Sequence, residues 1–184
     1  GDPSNDNVEG YPDKANRADQ YGRHGGDIKG IVNNINYLKE LGITAIWTTP
    51  LLEDNLPGGS YHQYATTDYY KIDPRFGSNE EFKSMVKVCH DKNLKVIMDM
   101  IPNHCGSTHT WMQDLPFNDW INGGTTYTQT NYRIPVTCDP YASDYDSDLN
   151  FNGWFVSDMP DLNQNNPYML TYLKQFAIYW LEYA

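Results

Sequence analysis

Nowhere in the 184 residues is there an apolar run close to the roughly 18 to 20 that cross a bilayer. Mean hydropathy is −0.69, so a membrane-spanning helix is excluded. Basic residues are scarce as well: 13 Lys and Arg stand against 24 Asp and Glu, a net charge of −11. A nucleic-acid binder needs a cationic face to displace counterions from phosphates, which this composition argues against. Three cysteines (Cys89, Cys105 and Cys138) are too few for a disulfide scaffold, and no close Cys-x-x-Cys pair suggests zinc. They leave the redox compartment open. Phenylalanine is also short, with 6 residues against 15 Tyr and 5 Trp. Flat rings with a polar handle suit half-wet surfaces and stack on the apolar C–H faces of sugars. Composition therefore leaves two readings, carbohydrate contact or the tyrosine richness common in large extracytoplasmic proteins.

The first 25 residues are rich in Gly, Asp, Asn and Pro and nearly without aliphatics, which predicts an irregular loop that needs an outside tie. From Asp27, apolar residues at Ile28, Ile31, Val32, Ile35, Leu38 and Leu41 predict an amphipathic helix stopped by Gly42. Residues 43–48 then read as a buried strand. Ser78 with Glu81 forms a capping box for a helix that turns Phe82, Met85, Val86 and Cys89 inward. The nearly continuous apolar run of residues 94–101 reads as a parallel strand covered on both faces. Helix, strand, loop, helix, strand implies βα units, with long loops at the C-terminal strand ends where barrels carry their sites. Residues 103–158 lack a clean helical period and are too long for a simple connection, so they predict an excursion with a small β or irregular subdomain. Asn166 and Pro167 cap a last helix with Leu170, Leu173, Phe176, Ala177, Trp180 and Leu181 on its buried face. The chain opens without an initiator Met or signal-peptide pattern and stops inside an apolar helical pattern, as expected of a piece of something longer.

The most specific string runs from Asp99 to Asn103 and His104, placing a carboxylate at a strand end and an amide plus an imidazole just past it. All three can point into one pocket; alternatively Asp99 caps a loop and His104 is a hydrogen-bonded loop histidine. Asp-x-x-x-Asn-His after a buried strand resembles the first conserved region of the α-amylase superfamily, glycoside hydrolase family 13. Four more strings fall in that family's order. Tyr61-His62-Gln63-Tyr64 resembles its Tyr-His-Gly-Tyr loop, with Gln63 replacing the usual Gly. Residues 69–77 resemble the segment leading into its second helix, and residues 26–31 its first barrel helix. Met159-Pro160-Asp161-Leu162-Asn163 is similar to its fifth conserved region, in the form typical of the neopullulanase, cyclomaltodextrinase and maltogenic amylase branch.

The resemblance implies an α/β fold, the N-terminal part of a TIM (β/α)8 barrel with a long subdomain inserted after the third barrel strand. It divides the chain into barrel at 1–102, inserted subdomain at 103–158 and a return to the barrel at 159–184. By carry-over, Tyr64 lies under a sugar ring, His62 and His104 bond its hydroxyls, and Asp99 stands behind them without touching the sugar. A calcium ion is implied at a loop of Asp2, Asn5, Asp6, the Gly25 carbonyl and Asp27, hard oxygens that suit that ion. The other reading is that Asp27 merely caps its helix. A second candidate calcium site joins Asn103 and Asp161. Trp111, Trp120 and Trp154 fall in the excursion, and none is assigned to binding.

Family members cleave α-1,4 glucosidic bonds with retention, using an Asp nucleophile and a Glu acid/base about 5 Å apart. In the family's order these carboxylates follow the last helix, some ten to fifteen residues beyond Ala184 for the nucleophile. The 184 residues are therefore expected to be inactive alone, and two of eight barrel strands would leave edges and faces open. The expected partner is an α-glucan; a homodimeric parent and a bacterial periplasm or cytoplasm accord with the branch. Other classes remain: a noncatalytic starch-binding descendant of an amylase, a β-sandwich sugar module, or a metallohydrolase built on Asp99 and His104.

Overall fold

Asp27 opens the first helix because its extended backbone lets the carboxylate accept the Gly30 amide, at 2.6 Å. In the computed structural model, which describes residues 1–132 and 136–184, this helix is α1 (Ile28–Asn33). Residues 133–135, part of the expected excursion, lie outside the described residues. The expected single helix is broken: Asn34 ends α1, its side-chain amide donating to Gly30 O at 2.8 Å, and α2 (Ile35–Glu40) follows. The polar amide satisfies a backbone carbonyl in competition with helix continuation.

Strand β1 (Ala45–Trp47) leads to β2 (Leu52–Glu53) and β3 (Asp68–Ile72), which pair antiparallel with an irregularity between Leu52 and Glu53. Helix α3 (Asn79–Asp91) has the expected capping box and buries the four predicted side chains, Phe82, Met85, Val86 and Cys89. Each is worth about 1.5–3 kcal/mol of transfer out of water, Cys89 less. It then feeds β4 (Lys95–Ile97), which pairs parallel to β1 with Ala45 opposite Lys95 and Trp47 opposite Ile97. A parallel pair needs such a crossover helix. The strands are shorter than the apolar runs that announced them and are not covered on both faces. Trp47 is 69 % exposed and Ile97 47 %. Among the described residues β1 and β4 pair only with each other, so each ladder is short and one-sided.

The segment 103–158 contains no strand among its described residues. It holds a 3₁₀ turn (Thr110–Met112), the helix α4 (Asp144–Asn152) and single bridges such as Ile121 with Leu162. Helix α4 was invisible to periodicity because it buries no residue; only Ser143, whose hydroxyl accepts from Asp146 N, announced it. The segment shares the main core: Trp120, Ile121 and Trp154 cluster with Tyr69, Met85 and Phe176. Trp120 and Trp154 are packing residues, each 4 % exposed.

Helix α5 (Pro167–Tyr183) closes the core with Met169, Leu173, Phe176 and Trp180, and Trp180 Nε1 donates to Tyr69 O at 2.8 Å. Leu170 and Leu181, expected inside, are exposed because the buried stripe runs through Met169 instead. No helix is long and apolar enough to cross a membrane, among the described residues. Asn166 accepts the Tyr168 and Met169 amides and donates to Asp119 at 2.8 Å, joining helix start to excursion. Replacing it should be costly: Asn166→Ala is expected to destabilise the fold by about 1–2 kcal/mol in urea titrations, with Asn166→Ser recovering roughly half.

Candidate functional site

The loop between β2 and β3 makes a single 3₁₀ turn at Ser60–His62 and leaves it through Gln63, which sits at φ 63°. Left-handed backbone favours glycine and costs other residues about 1–2 kcal/mol. Here the Gln63 side chain offsets that cost. Fully buried, it donates to Leu52 O at 2.8 Å and Asp73 Oδ2 at 2.9 Å and accepts from Arg23. The turn sends His62 and Tyr64 to one side. Their rings stack at 5.9 Å, and His62 Nδ1 accepts the Tyr64 amide at 2.9 Å, so the proton sits on Nε2, ready to be donated. Burial, and then the Arg23 charge, pull the His62 pKa below its usual value, so the ring is a neutral partner at pH 7. Tyr64 is 42 % exposed, its face available.

His104 reaches the same place from the far side of the sequence. Its Nε2 donates to Tyr64 O at 3.0 Å, and its Nδ1 accepts from Asn103 Nδ2 at 3.3 Å. Both ring nitrogens are therefore engaged within the protein, and burial lowers the pKa to about 4. The structure brings His62, Tyr64 and His104 together, with His104 bonded to the Tyr64 carbonyl. Phe155 stacks on the His104 ring at 5.9 Å and 11° and remains 40 % exposed. No sequence signal set it apart from the other aromatics of the excursion. Cys105, next along, is fully buried, and burial pushes its thiol up to about 12. Gly106 is required here: a Cβ would lie 2.5 Å from Ala65 O.

Beneath the loop lies a buried polar cluster. Asp73 accepts from Arg75 Nε at 2.9 Å and Nη2 at 2.7 Å, and Arg23 lies 3.9 Å from it. Burial pulls the Asp73 pKa up, but the bonds from Arg75 outweigh it and hold the carboxyl below its ordinary value. Arg23 also grips Ser60, its Nη2 donating to Ser60 O at 2.8 Å. Asp99 is elsewhere. It stands at the end of β4, accepting from Trp47 Nε1 at 3.2 Å.

The opening segment is tied more firmly than its composition suggested. Tyr11 donates to Glu53, Asp13 accepts from Ser60 Oγ at 2.6 Å, and Ala15 pairs with Arg23. The outside tie that its composition calls for comes from aromatic and carboxylate side chains. Asp2, Asp6 and Asp27 line one cavity of about 160 Å³ that the cationic Arg17 also lines, and Asn5 and Gly25 line an adjoining one; the carboxylates, the amide and the carbonyl supply the oxygens. These are hard oxygen donors, and their chemistry fits calcium. As they stand, however, Asp27 Oδ2 accepts from Asp2 N and from Asn5 Nδ2, and Asp2 pairs with Lys29 at 2.9 Å. That pairing first, then the Ser4 amide, lowers the Asp2 pKa to about 2. Asp161 accepts from Asn103 Nδ2 at 3.2 Å and Asn122 Nδ2 at 2.8 Å, and burial raises its pKa to about 6. Two side-chain amides thus satisfy that carboxylate. No group of three or more His, Cys, Asp or Glu is placed to hold a metal ion, among the described residues.

Two histidines thus flank a half-exposed tyrosine on the loops that follow β1 and β4. The family described as alpha amylase, catalytic domain, matches residues 9–184. The chain belongs to the α-amylase family. A cyclomaltodextrinase of Thermoanaerobacter pseudethanolicus is 38 % identical over 191 residues, covering 99 % of this chain and 30 % of the relative. Among solved structures, an Anoxybacillus α-amylase superposes at a TM-score of 0.79 with 34 % identity, over 100 % of this chain and 35 % of that one. An α-amylase of Geobacillus thermoleovorans, complexed with acarbose, gives 0.72 and 34 %, over 96 % and 34 %. The chain thus spans about a third of the length of the relatives it matches. The α/β fold is that of these α-amylase barrels, and the expected departure from the α-amylase pattern at Gln63 has a physical reason in the cluster it completes. Gln63→Gly should relieve backbone strain yet strand Asp73 and Arg23, lowering stability by about 1–3 kcal/mol in chemical denaturation.

Proposed function

We propose that this chain forms part of the substrate cleft of a retaining α-glucan hydrolase, with Tyr64 under a glucose ring and His62 Nε2 donating to one of its hydroxyls. The observation that carries this reading is the exposed Tyr64 face beside a neutral histidine, both fixed by the buried cluster. An aromatic face takes up the apolar side of a pyranose, and a neutral donor suits a hydroxyl better than a charge does. His104 orients Tyr64, and Asp99 supports the strand ends from behind. Residues 103–158 act as an inserted subdomain walling the cleft, Phe155 being its nearest aromatic to His104. On this reading the reacting carboxylates of the family are not among these 184 residues, and the chain alone binds α-1,4-glucans without cleaving them.

Calcium, where bound, would be held by Asp6, Asp27, Asn5 and the Gly25 carbonyl, and would supply positive charge to a loop rich in carboxylates. Asp27 would keep its cap on α1 through Oδ1.

Two measurements test these statements. Calorimetric titration with maltoheptaose should show saturable binding, with cellohexaose giving none; Tyr64→Ala should weaken it by about tenfold or more, some 1.4 kcal/mol. Undiminished affinity in that variant, or release of reducing sugar by the chain itself, would contradict the proposal. For calcium, adding the ion to chelator-treated protein should raise the melting temperature, and Asp6→Asn should abolish the increase. A melting curve indifferent to calcium would remove the ion from the account.

A further inference from the structure

Tyr64 and Ala65 share one peptide plane, and that plane is held from both sides. Its carbonyl accepts from His104 Nε2 at 3.0 Å. Its N–H, on Ala65, donates to Asp54 Oδ2 at 3.1 Å. We propose that Asp54 is a positioning residue for sugar binding, setting the tilt of Tyr64 through this peptide; the inference rests on the reading of Tyr64 given above.

Every polar group of Asp54 is engaged, and the residue has no exposed surface. Its Oδ1 accepts from Leu56 N at 3.2 Å, so the one carboxylate closes both ends of the loop that carries His62 and Tyr64. Its own amide donates to Asp73 Oδ2 at 3.1 Å, and its carbonyl accepts from Arg75. Asp54 is thus anchored to the charged cluster below and reaches upward to the loop. A carboxylate suits this task because both oxygens accept; an amide or a protonated acid would turn a donor toward one of the two N–H groups.

The charged groups that bear on Asp54 are Arg23 and Asp73, with Arg75 at its carbonyl. Burial is the largest influence, followed by the Leu56 and Ala65 amides and the Arg23 charge, which oppose it; the net pKa is about 7. The two consequences run in opposite directions. A carboxyl raised in the folded state lends stability below its unfolded value near 4, and that contribution is lost as pH rises through about 7. The two-handed grip on the loop, by contrast, is complete only in the ionised form, above about 7. Tighter sugar binding should therefore accompany lower stability as pH increases.

The test compares maltoheptaose binding at pH 8 and pH 5.5 for the chain itself and for Asp54→Asn and Tyr64→Ala. The unsubstituted chain should bind about tenfold more weakly at the lower pH, and Asp54→Asn should be weak at both while melting no lower than the parent at pH 8. A merely structural aspartate would not show weakened binding without weakened folding. A pH dependence that persists in Asp54→Asn belongs to His62 and overturns the inference, as does affinity equal to the parent's. Should Asp54→Asn fail to fold, equal affinity of the unsubstituted chain at the two pH values overturns it still. If Tyr64→Ala binds normally, the reading of Tyr64 itself has failed, and the inference falls with it.

Discussion

Asp73 is a carboxylate with no exposed surface, and the site is suspended from it. It accepts from Arg75 on both oxygens, from the Gln63 amide and from the backbone of Asp54. Buried ions are expensive unless every lone pair and proton is matched, and the free energy of matching them is often no better than neutral. What such a cluster does well is admit few alternative arrangements. Gln63 can occupy left-handed backbone because Asp73 and Arg23 are there to receive its side chain. Asp54 keeps its place because Asp73 and Arg75 take its main chain. The exposed aromatic surface above thus inherits its geometry from a charged group that no ligand touches.

Much of this was legible in the sequence where one physical signal dominates. The capping box at Ser78, the inward residues of α3, and the Asn166-Pro167 start of α5 all follow from local hydrogen bonding and helical spacing, and the structure has them. The strings around His62, Tyr64, Asn103 and His104 sufficed to place the chain in its family. The failures have physical causes. Asn34 splits a helix whose apolar stripe runs on uninterrupted, because a side-chain amide competes for a carbonyl. Helix α4 carries no apolar face, so periodicity has nothing to detect. Asp54 and Arg23 stand among many polar residues in Gly-rich loops, and only the meeting of distant segments distinguishes them.

The opening segment needs an outside tie, and the structure supplies one. Composition says that a stretch poor in aliphatics cannot bury enough apolar surface to order itself. It does not say what polar groups elsewhere have to offer. Tyr11 finds Glu53 at the end of β2, and Asp13 and Arg23 find Ser60 and Gln63 on the β2–β3 loop, so the segment is fastened to the loop that bears Tyr64.

Cys105 sits between His104 and Gly106, sealed from water, with a thiol that stays protonated far above neutrality. Only a thiolate reacts readily with peroxide or exchanges with a disulfide. The thiol that follows this histidine in the chain is accordingly a poor nucleophile at neutral pH. Redox conditions therefore act little on the residue that joins the histidine holding the Tyr64 carbonyl to the glycine packed against Ala65.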